Sequence, residues 1–288
     1  MPRILIVVDS TCDVPPEWVR RFDVRLVPTY VHFGMESLAD DGVQLTRQGF
    51  YERLAADPLH PTTAAPPPGG VMEVMARALD EAEHVIALTA PKELSGIYNT
   101  FRLAAEKLGP ERVTLVDGRS TSMGLGWQVV VAGEMIEAGA APDDIEAALL
   151  DMQPQIHVWA ALDTIHYLRR SGRVGWATAM VGGLFQIKPV IHLYNAVVES
   201  VGRVRTAQRG FDLLADLARK AAPLDRLAVL HTVNLAGAQR LAEALKDIWP
   251  EAPLALVEAT PVLGVHVGPN GLGLAIVKRR QQDTGSTG

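Results

Sequence analysis

Three short segments, widely separated along the chain, carry the side chains best suited to bind a small polar group. One is Gly264-Val265-His266-Val267-Gly268-Pro269, which places a single imidazole between glycines. Glycine lets a ligand or another segment approach closely, and at neutral pH an imidazole can take part in a hydrogen bond. The others are Thr63, within a proline-rich run, and Leu94-Ser95-Gly96. Whether these segments meet in the folded protein decides what they can bind.

Each of these side chains also has an ordinary structural explanation. Ser95 begins a predicted helix, where its hydroxyl and the neighbouring N–H groups form an anion site but equally a plain helix cap. Thr63 precedes another predicted helix and can bond its own backbone in a turn. A single histidine such as His266 is more often a structural hydrogen-bond partner than a functional one. From the residues alone, both interpretations stay open.

Signs of metal binding or catalysis are weak. Asp9, Asp13 and Asp117 have the right chemistry to bind a metal ion, but such residues at strand ends equally form turns and caps. Ser95 lacks a Gly-x-Ser-x-Gly setting, and neither a Gly-x-x-x-x-Gly-Lys-Ser/Thr run nor His-Glu-x-x-His occurs. The glycine-rich residues 268–273 lead into a strand, whereas a dinucleotide-binding turn leads into a helix. We expect neither a metal site nor a nucleotide cofactor.

Composition narrows the class of protein. The chain has 288 residues, nearly half of them apolar and a fifth charged, which is typical of a soluble globular protein with two domains. A net charge of −6 argues against a nucleic-acid partner, because phosphate contacts need clustered Lys and Arg. Cys12 is the only cysteine, so an internal disulfide is impossible. No apolar run approaches the ~20 residues that span a bilayer, and we expect a cytoplasmic protein.

Alternating strands and helices must position the polar segments. Residues 4–8 predict a buried strand, residues 24–31 a second strand, and residues 58–70, rich in proline, an irregular loop. The next strand and helix candidates alternate, with strands at 85–88 and 112–116 and helices at 71–81, 95–108, 122–138 and 142–150. This alternation predicts a mostly parallel sheet flanked by helices. Ligands of such sheets bind beyond the carboxyl ends of the strands, where Asp9, Ser95 and Asp117 fall.

The pattern changes after residue 153. Strand candidates at 187–193 and 196–199 are close enough to pair antiparallel, which predicts a mixed sheet. The remaining candidates are strands at 158–162, 227–230, 254–257 and 274–277, and helices at 163–170, 177–184, 208–221 and 235–248. We therefore predict an α/β protein of two domains. Residues 1–153 carry Thr63 and Ser95, and residues 154–288 carry His266.

Six segments, taken in order, follow the motifs of one family. Asp9-Ser10-Thr11-Cys12-Asp13-Val14-Pro15 is similar to an opening Asp-Ser-Thr-Ala-Asp-Leu-Pro, and Leu94-Ser95-Gly96-Ile97-Tyr98 to Leu-Ser-Gly-Thr-Tyr. The others are the segments 61–66, 163–173, 187–189 and 264–269. On these motifs the chain resembles the DegV family of bacterial fatty-acid-binding proteins over nearly its whole length.

The resemblance implies a carrier that holds one long-chain fatty acid, such as palmitate, stearate or oleate, in an apolar tunnel. The carboxyl group would lie between the domains. The residues that would bind it are Thr63, Ser95, Gly96 and His266. Such a protein would need no cofactor and would perform no catalysis itself.

The resemblance also implies a protein partner. In the family, carriers present the fatty acid to a separate kinase, which makes an acyl phosphate for phospholipid synthesis. Three basic residues are candidates for docking that kinase: Arg170, Arg173 and Arg205.

The chain departs from the family pattern at the expected site. Ala64 and Ala65 replace a Ser and a Gln, and Val265 and Val267 replace the threonines that flank the histidine. These changes make the mouth of the site more apolar and leave the surrounding hydrogen bonds open.

Two other functions remain as alternatives. One is the substrate-binding subunit of a phosphotransferase like dihydroxyacetone kinase, in which His266 would hold a small carbonyl compound. The other is a hydrolase that uses Ser95 and His266, although no positioned acid supports it.

Overall fold

A computed structural model describes residues 3–57, 59–178, 187–249 and 254–280. The strands are β1 (Ile4–Asp9), β2 (Arg25–Val27), β3 (Tyr30–Phe33), β4 (Glu36–Ala39), β5 (Thr62–Ala64), β6 (His84–Thr89), β7 (Val113–Asp117), β8 (Ile156–Ala161), β9 (Lys188–Tyr194), β10 (Val197–Val204), β11 (Leu224–His231), β12 (Ala255–Glu258) and β13 (Leu272–Lys278). The helices are α1 (Pro16–Arg21), α2 (Arg47–Ala56), α3 (Pro68–Glu81), α4 (Ile97–Leu108), α5 (Met123–Glu137), α6 (Pro142–Met152), α7 (His166–Ser171), α8 (Gly175–Thr178), α9 (Ala207–Ala221), α10 (Leu235–Ala244) and α11 (Pro261–Val267).

The first half of the chain forms a parallel sheet with the strand order β2-β1-β6-β7. Every residue of β1 is buried, which explains why its sequence is a continuous apolar run instead of an alternating one. Apolar residues of α3 and α4 cover one face of the sheet, and those of α5 cover the other. The predicted parallel sheet flanked by helices is confirmed.

The second half forms a mixed sheet with the order β10-β9-β8-β13-β11-β12. Neighbouring strands of this sheet run antiparallel, except that β11 and β12 are parallel. The β9–β10 pair is the predicted hairpin. Helix α9 covers the outer face, while α5 packs against the inner face, where Trp127 Nε1 donates to the Ala275 carbonyl at 3.1 Å. The mixed sheet is confirmed, and α5 joins it to the parallel sheet.

A third, small sheet with the order β4-β3-β5 corrects two predictions. Residues 24–31 are not one strand, because Pro28 lacks an N–H and separates β2, which pairs with β1, from β3. Residues 58–70 are not wholly irregular either. Pro61 and Pro66 flank β5 without interrupting it, so Thr63 pairs with Val31 of β3, and α3 already begins at Pro68.

Smaller differences concern the helices of the second half. The helix predicted at 163–170 begins later, at His166, and ends at Ser171. Of the helix predicted at 177–184, residues 179–184 lie outside the described part of the chain. The elements of the parallel sheet precede residue 153 and those of the mixed sheet follow it, while the domain boundary stays a prediction. Across the four described ranges, no helix is both long and apolar enough to cross a membrane.

Candidate functional site

The three polar segments meet at one cavity of about 540 Å³. Thr63 reaches it from β5, Ser95 and Gly96 from the turn before α4, and His266 from α11. The cavity lies beyond the carboxyl ends of β1 and β6, as expected for a parallel sheet. The structure therefore brings together all four predicted residues, and their role in binding stays a prediction.

Thr63 and His266 are in direct contact. The Thr63 hydroxyl oxygen lies 3.3 Å from His266 Nε2, although the two residues are 203 positions apart in the sequence. The other ring nitrogen, Nδ1, is buried and has no hydrogen-bond partner within the described ranges. His266 therefore bonds Thr63 through Nε2, while Nδ1 faces the protein interior.

Helix α11 determines where His266 lies. The sequence placed this residue in a glycine-rich segment before a strand, but it lies in the last turn of a helix that begins at Pro261. Gly268 ends that helix with φ +74, and a Cβ there would lie 2.2 Å from Cδ2 of Tyr167. This position requires glycine both for its backbone conformation and for its close contact.

The His266 imidazole is neutral at physiological pH. Burial lowers its pKa to about 3, with smaller contributions from the positive charges of Arg173 and His60. A neutral ring has one N–H donor and one acceptor nitrogen. His266 and Thr63 can therefore share a hydrogen bond and still offer a donor to a ligand.

Ser95 lies one residue before the N-cap of α4 and lines the cavity, and its role in binding stays a prediction. Its Oγ accepts a hydrogen bond from the Ile97 N–H at 3.3 Å, and α4 begins at Ile97 rather than at Ser95 as predicted. Gly96 occupies the N-cap position with ordinary negative φ, and the nearest atom to an added Cβ would be Ala65 Cβ at 3.8 Å. Glycine is thus not sterically required at position 96.

The remaining wall of the cavity is mostly apolar. Side chains from the inner face of the mixed sheet and from α7 and the residues after it make up much of it: Val158, Leu162, Ile191, Leu193, Leu168 and Val174. Ala64, Ala65 and Val267, three of the four departures from the family pattern, also line it. Val265 does not, because it packs with Phe33 and Phe50 in a separate apolar cluster.

Two cations lie at the cavity, and the sequence assigned neither of them to the ligand site. Lys92 follows the carboxyl end of β6 by three residues, which is the signal that could have identified it. Arg173, predicted only as a docking residue, lines the cavity and donates to the Ser171 carbonyl at 2.6 Å. Arg170 and Arg205 are exposed, and neither lines the cavity.

The side chains considered for metal binding or hydrolysis make other hydrogen bonds. Asp9 accepts the N–H groups of Thr11 and Ala90, and Asp117 accepts that of Arg119. Within the four described ranges, no three His, Cys, Asp or Glu side chains are placed to hold a metal ion. His266 bonds Thr63 and Ser95 Oγ bonds the Ile97 N–H, so among the described residues these two do not form the pair of nucleophile and base that a hydrolase needs.

Comparison with known proteins identifies the family of this chain. The family model described as "uncharacterised protein, DegV family" matches residues 3–279. A DegV domain-containing protein of Deinococcus radiodurans is 35% identical over 276 residues, which are 95% of this chain and 98% of the relative. A fatty-acid-binding DegV family protein from Thermus thermophilus is 30% identical with a TM-score of 0.86, over 96% of this chain and 100% of that one. DegV of Bacillus subtilis, described as a fatty acid binding protein, is 25% identical with a TM-score of 0.85, over 97% and 100% of the two chains. This chain belongs to the DegV family.

Proposed function

We propose that the protein binds one long-chain fatty acid, with the alkyl chain in the apolar cavity and the carboxyl group at its polar residues. The residues that bind the carboxyl group are Thr63, Ser95, Gly96 and His266. The observation that carries the proposal is the Thr63–His266 pair at the wall of a mostly apolar cavity. The fatty-acid-binding proteins of Thermus thermophilus and Bacillus subtilis, which share this fold, support it.

The size and lining of the cavity suit an alkyl chain. A volume of about 540 Å³ falls within the range of pockets that enclose small molecules. Enclosing a C16 chain removes some fifteen methylenes from water at roughly 0.8 kcal/mol each, or ~12 kcal/mol in total. Loss of translational and internal freedom offsets several kcal/mol of this. The apolar term alone is therefore large enough to give useful affinity.

The carboxyl group is stabilised without a charged histidine. The Thr63–His266 pair with its remaining donor, the Ser95 hydroxyl and the Gly96 N–H supply donors, and each hydrogen bond to an ionised carboxylate contributes about 1.5–3 kcal/mol. Arg173, on the same cavity, adds a favourable positive charge.

We further propose that the protein is a carrier without catalysis of its own, located in the cytoplasm, that presents the acid to a separate kinase for acyl phosphate formation and phospholipid synthesis. Arg170, Arg173 and Arg205 are the proposed docking residues. All three are exposed, and none makes an ion pair with a carboxylate in the described part of the chain. The charges of Arg170 and Arg205 are therefore available to an acidic partner surface, while Arg173 lies between that surface and the cavity that it lines.

The alternative of a phosphotransferase subunit for small carbonyl compounds has less support. It needs a small polar cavity at His266, whereas the cavity here is large and mostly apolar. Incubation with a triose and mass analysis for a histidine adduct would show this function directly.

Native mass spectrometry of the purified protein tests the proposed function. We expect about one co-purified fatty acid per chain, identified after extraction, and reloading with a C16 or C18 acid after delipidation. Protein that is isolated free of lipid and cannot be loaded contradicts the proposal.

A further inference from the structure

Helix α11, which carries His266, begins without a cap of its own. Thr260 occupies the N-cap position, but its side chain makes no cap hydrogen bond within the described ranges, and Pro261 has no N–H. The other N–H groups of the first turn have no partner inside the helix, and burial away from water makes an unpaired N–H costly. These groups therefore need acceptors from elsewhere in the protein.

Two carboxylates from the beginning of the chain supply them. Asp13 Oδ1 accepts the Thr260 N–H at 2.8 Å, across 247 positions of sequence, and Asp40 Oδ2 accepts the Val262 N–H at 3.2 Å, across 222 positions. Both residues are buried, with 1% and 6% of their surface exposed.

Hydroxyl groups hold these carboxylates in place. Ser122 Oγ donates to Asp13 Oδ2 at 2.5 Å, and Ser10 Oγ lies 3.5 Å from Asp40 Oδ2. The Ser10 hydroxyl is fixed in turn by Thr29, whose Oγ1 lies 2.7 Å away. Asp13 itself has φ +51, an uncommon conformation that aspartate tolerates better than most residues.

A shift of the first turn of α11 would move His266. Helix α11 has seven residues, about 10 Å in length, and His266 follows Val262 by about one turn. Gly264 packs directly against α2, since a Cβ there would lie 2.5 Å from Cε1 of Phe50. The helix is thus held from its end and from one side, while its partner Thr63 is fixed separately in the small sheet.

We propose that Asp13 and Asp40 are positioning residues of the ligand site, which hold the first turn of α11 so that His266 Nε2 stays within hydrogen-bond distance of Thr63. Their effect on ligand affinity rests on the proposed fatty-acid binding. Their effect on the His266 ring does not, and it is measurable in protein without ligand.

The test compares Asp40→Ala, Asp40→Asn and the control Asp9→Asn, with wild type and Thr63→Val as references. Asn keeps an acceptor for the Val262 N–H, whereas Ala has none. Asp9 is also buried but accepts N–H groups of Thr11 and Ala90, and no hydrogen bond joins it to α11 in the described part of the chain. Two measurements are made: the ¹⁵N resonances of the His266 ring without ligand, and the affinity for the fluorescent fatty acid cis-parinaric acid.

In Asp40→Ala we expect the Nε2 resonance to move towards its position in Thr63→Val, and the affinity to fall at least tenfold. In Asp40→Asn the affinity should fall about threefold. Asp9→Asn should leave the ring resonances unchanged. A folded Asp40→Ala protein with wild-type resonances and wild-type affinity would overturn the proposal.

A further measurement on Asp40→Asn covers the case in which Asp40→Ala does not fold. Hydrogen exchange of the Val262 amide in Asp40→Asn should then be about threefold faster than in wild type, and an unchanged rate would overturn the proposal. If wild type binds no fatty acid at all, the proposed function fails, while the ring resonances still decide the positioning role.

Discussion

The hydroxyl of Thr63 and the Nε2 atom of His266 lie 3.3 Å apart at the wall of the cavity. Thr63 is held by the small sheet of the first half of the chain, and His266 by a short helix of the second half. Neither residue can form the pair unless the two halves of the chain are correctly packed. The polar end of the proposed ligand site therefore depends on the packing of those two halves.

Removing the Thr63 hydroxyl should weaken binding without unfolding the protein. We expect Thr63→Val to lose about 1.5–3 kcal/mol of binding free energy, roughly 10- to 150-fold in Kd, because one donor to the carboxylate disappears. Thr62→Val is the matched control, since Thr62 is exposed on the neighbouring position of the same strand. Titration with a C16 acid measures both. Equal affinities of the two variants would contradict the assignment of Thr63.

Blocking the apolar wall should discriminate between ligands by chain length. Ala160 on β8 lines the cavity, so Ala160→Trp should fill space that a long chain needs. We expect affinity for a C16 acid to fall at least tenfold, since each methylene excluded from the cavity loses roughly 0.8 kcal/mol. Affinity for a C8 acid should change far less and serves as the internal control. Equal losses for both acids would place the alkyl chain elsewhere.

One glycine of the proposed site, Gly96, and one at the end of α11, Gly268, should respond oppositely to a methyl group. Gly96→Ala should bind within threefold of wild type, because an added Cβ meets no atom closer than 3.8 Å. Gly268→Ala should be destabilised by about 2–4 kcal/mol, because its φ is +74 and its Cβ would overlap Tyr167. Urea unfolding and ligand titration measure the pair. A tolerated Gly268→Ala would show that α11 need not end as it does here.

Acid should reduce the contribution of His266 to stability. Its folded-state pKa of about 3 lies below the ordinary value of 6.5, so below pH 6.5 the unfolded chain binds the extra proton. The free energy of unfolding should therefore fall with decreasing pH between 6.5 and 3 by up to about 1.4 kcal/mol per pH unit from this group. His266→Gln should lack this contribution. Parallel pH profiles of wild type and variant, from urea unfolding, would contradict a neutral buried ring.

The contribution of Asp40 to stability should depend on pH in the opposite direction to that of His266. Burial raises its pKa to about 7 despite the Val262 N–H, so between pH 3.8 and 7 the folded protein binds the extra proton. Stability from this group is present below pH 3.8 and is lost as the pH rises to 7. As the pH rises through that window, the free energy of unfolding of wild type should fall relative to that of Asp40→Asn by up to about 1.4 kcal/mol per pH unit. A difference between the two proteins that does not vary with pH would exclude a raised pKa.

Much of the fold follows from local patterns in the sequence. The continuous apolar run of β1 predicts a strand covered on both faces, and the polar residues after β1 and β6 predict where a ligand binds. The break between β2 and β3 also has a local cause, Pro28, but apolar residues on both sides of it give the appearance of a single strand.

The rest depends on contacts that leave no local pattern. Glycines around His266 indicate a loop, yet Thr260 and Pro261 begin a helix whose cap comes from Asp13 and Asp40, more than 200 positions away. The strand character of Thr63 likewise comes from its partner Val31, not from its proline-rich surroundings. Spacing along the chain cannot reveal such pairings.

A crystal structure of the protein loaded with a C16 fatty acid would show directly whether the carboxyl group binds at the Thr63–His266 pair. We expect one molecule, with its carboxyl group within hydrogen-bond distance of Thr63, Ser95 and His266 and its alkyl chain along the apolar wall formed by Val158 and Leu193. A fatty acid bound with its carboxyl group away from the Thr63–His266 pair, or outside this cavity, would contradict this expectation.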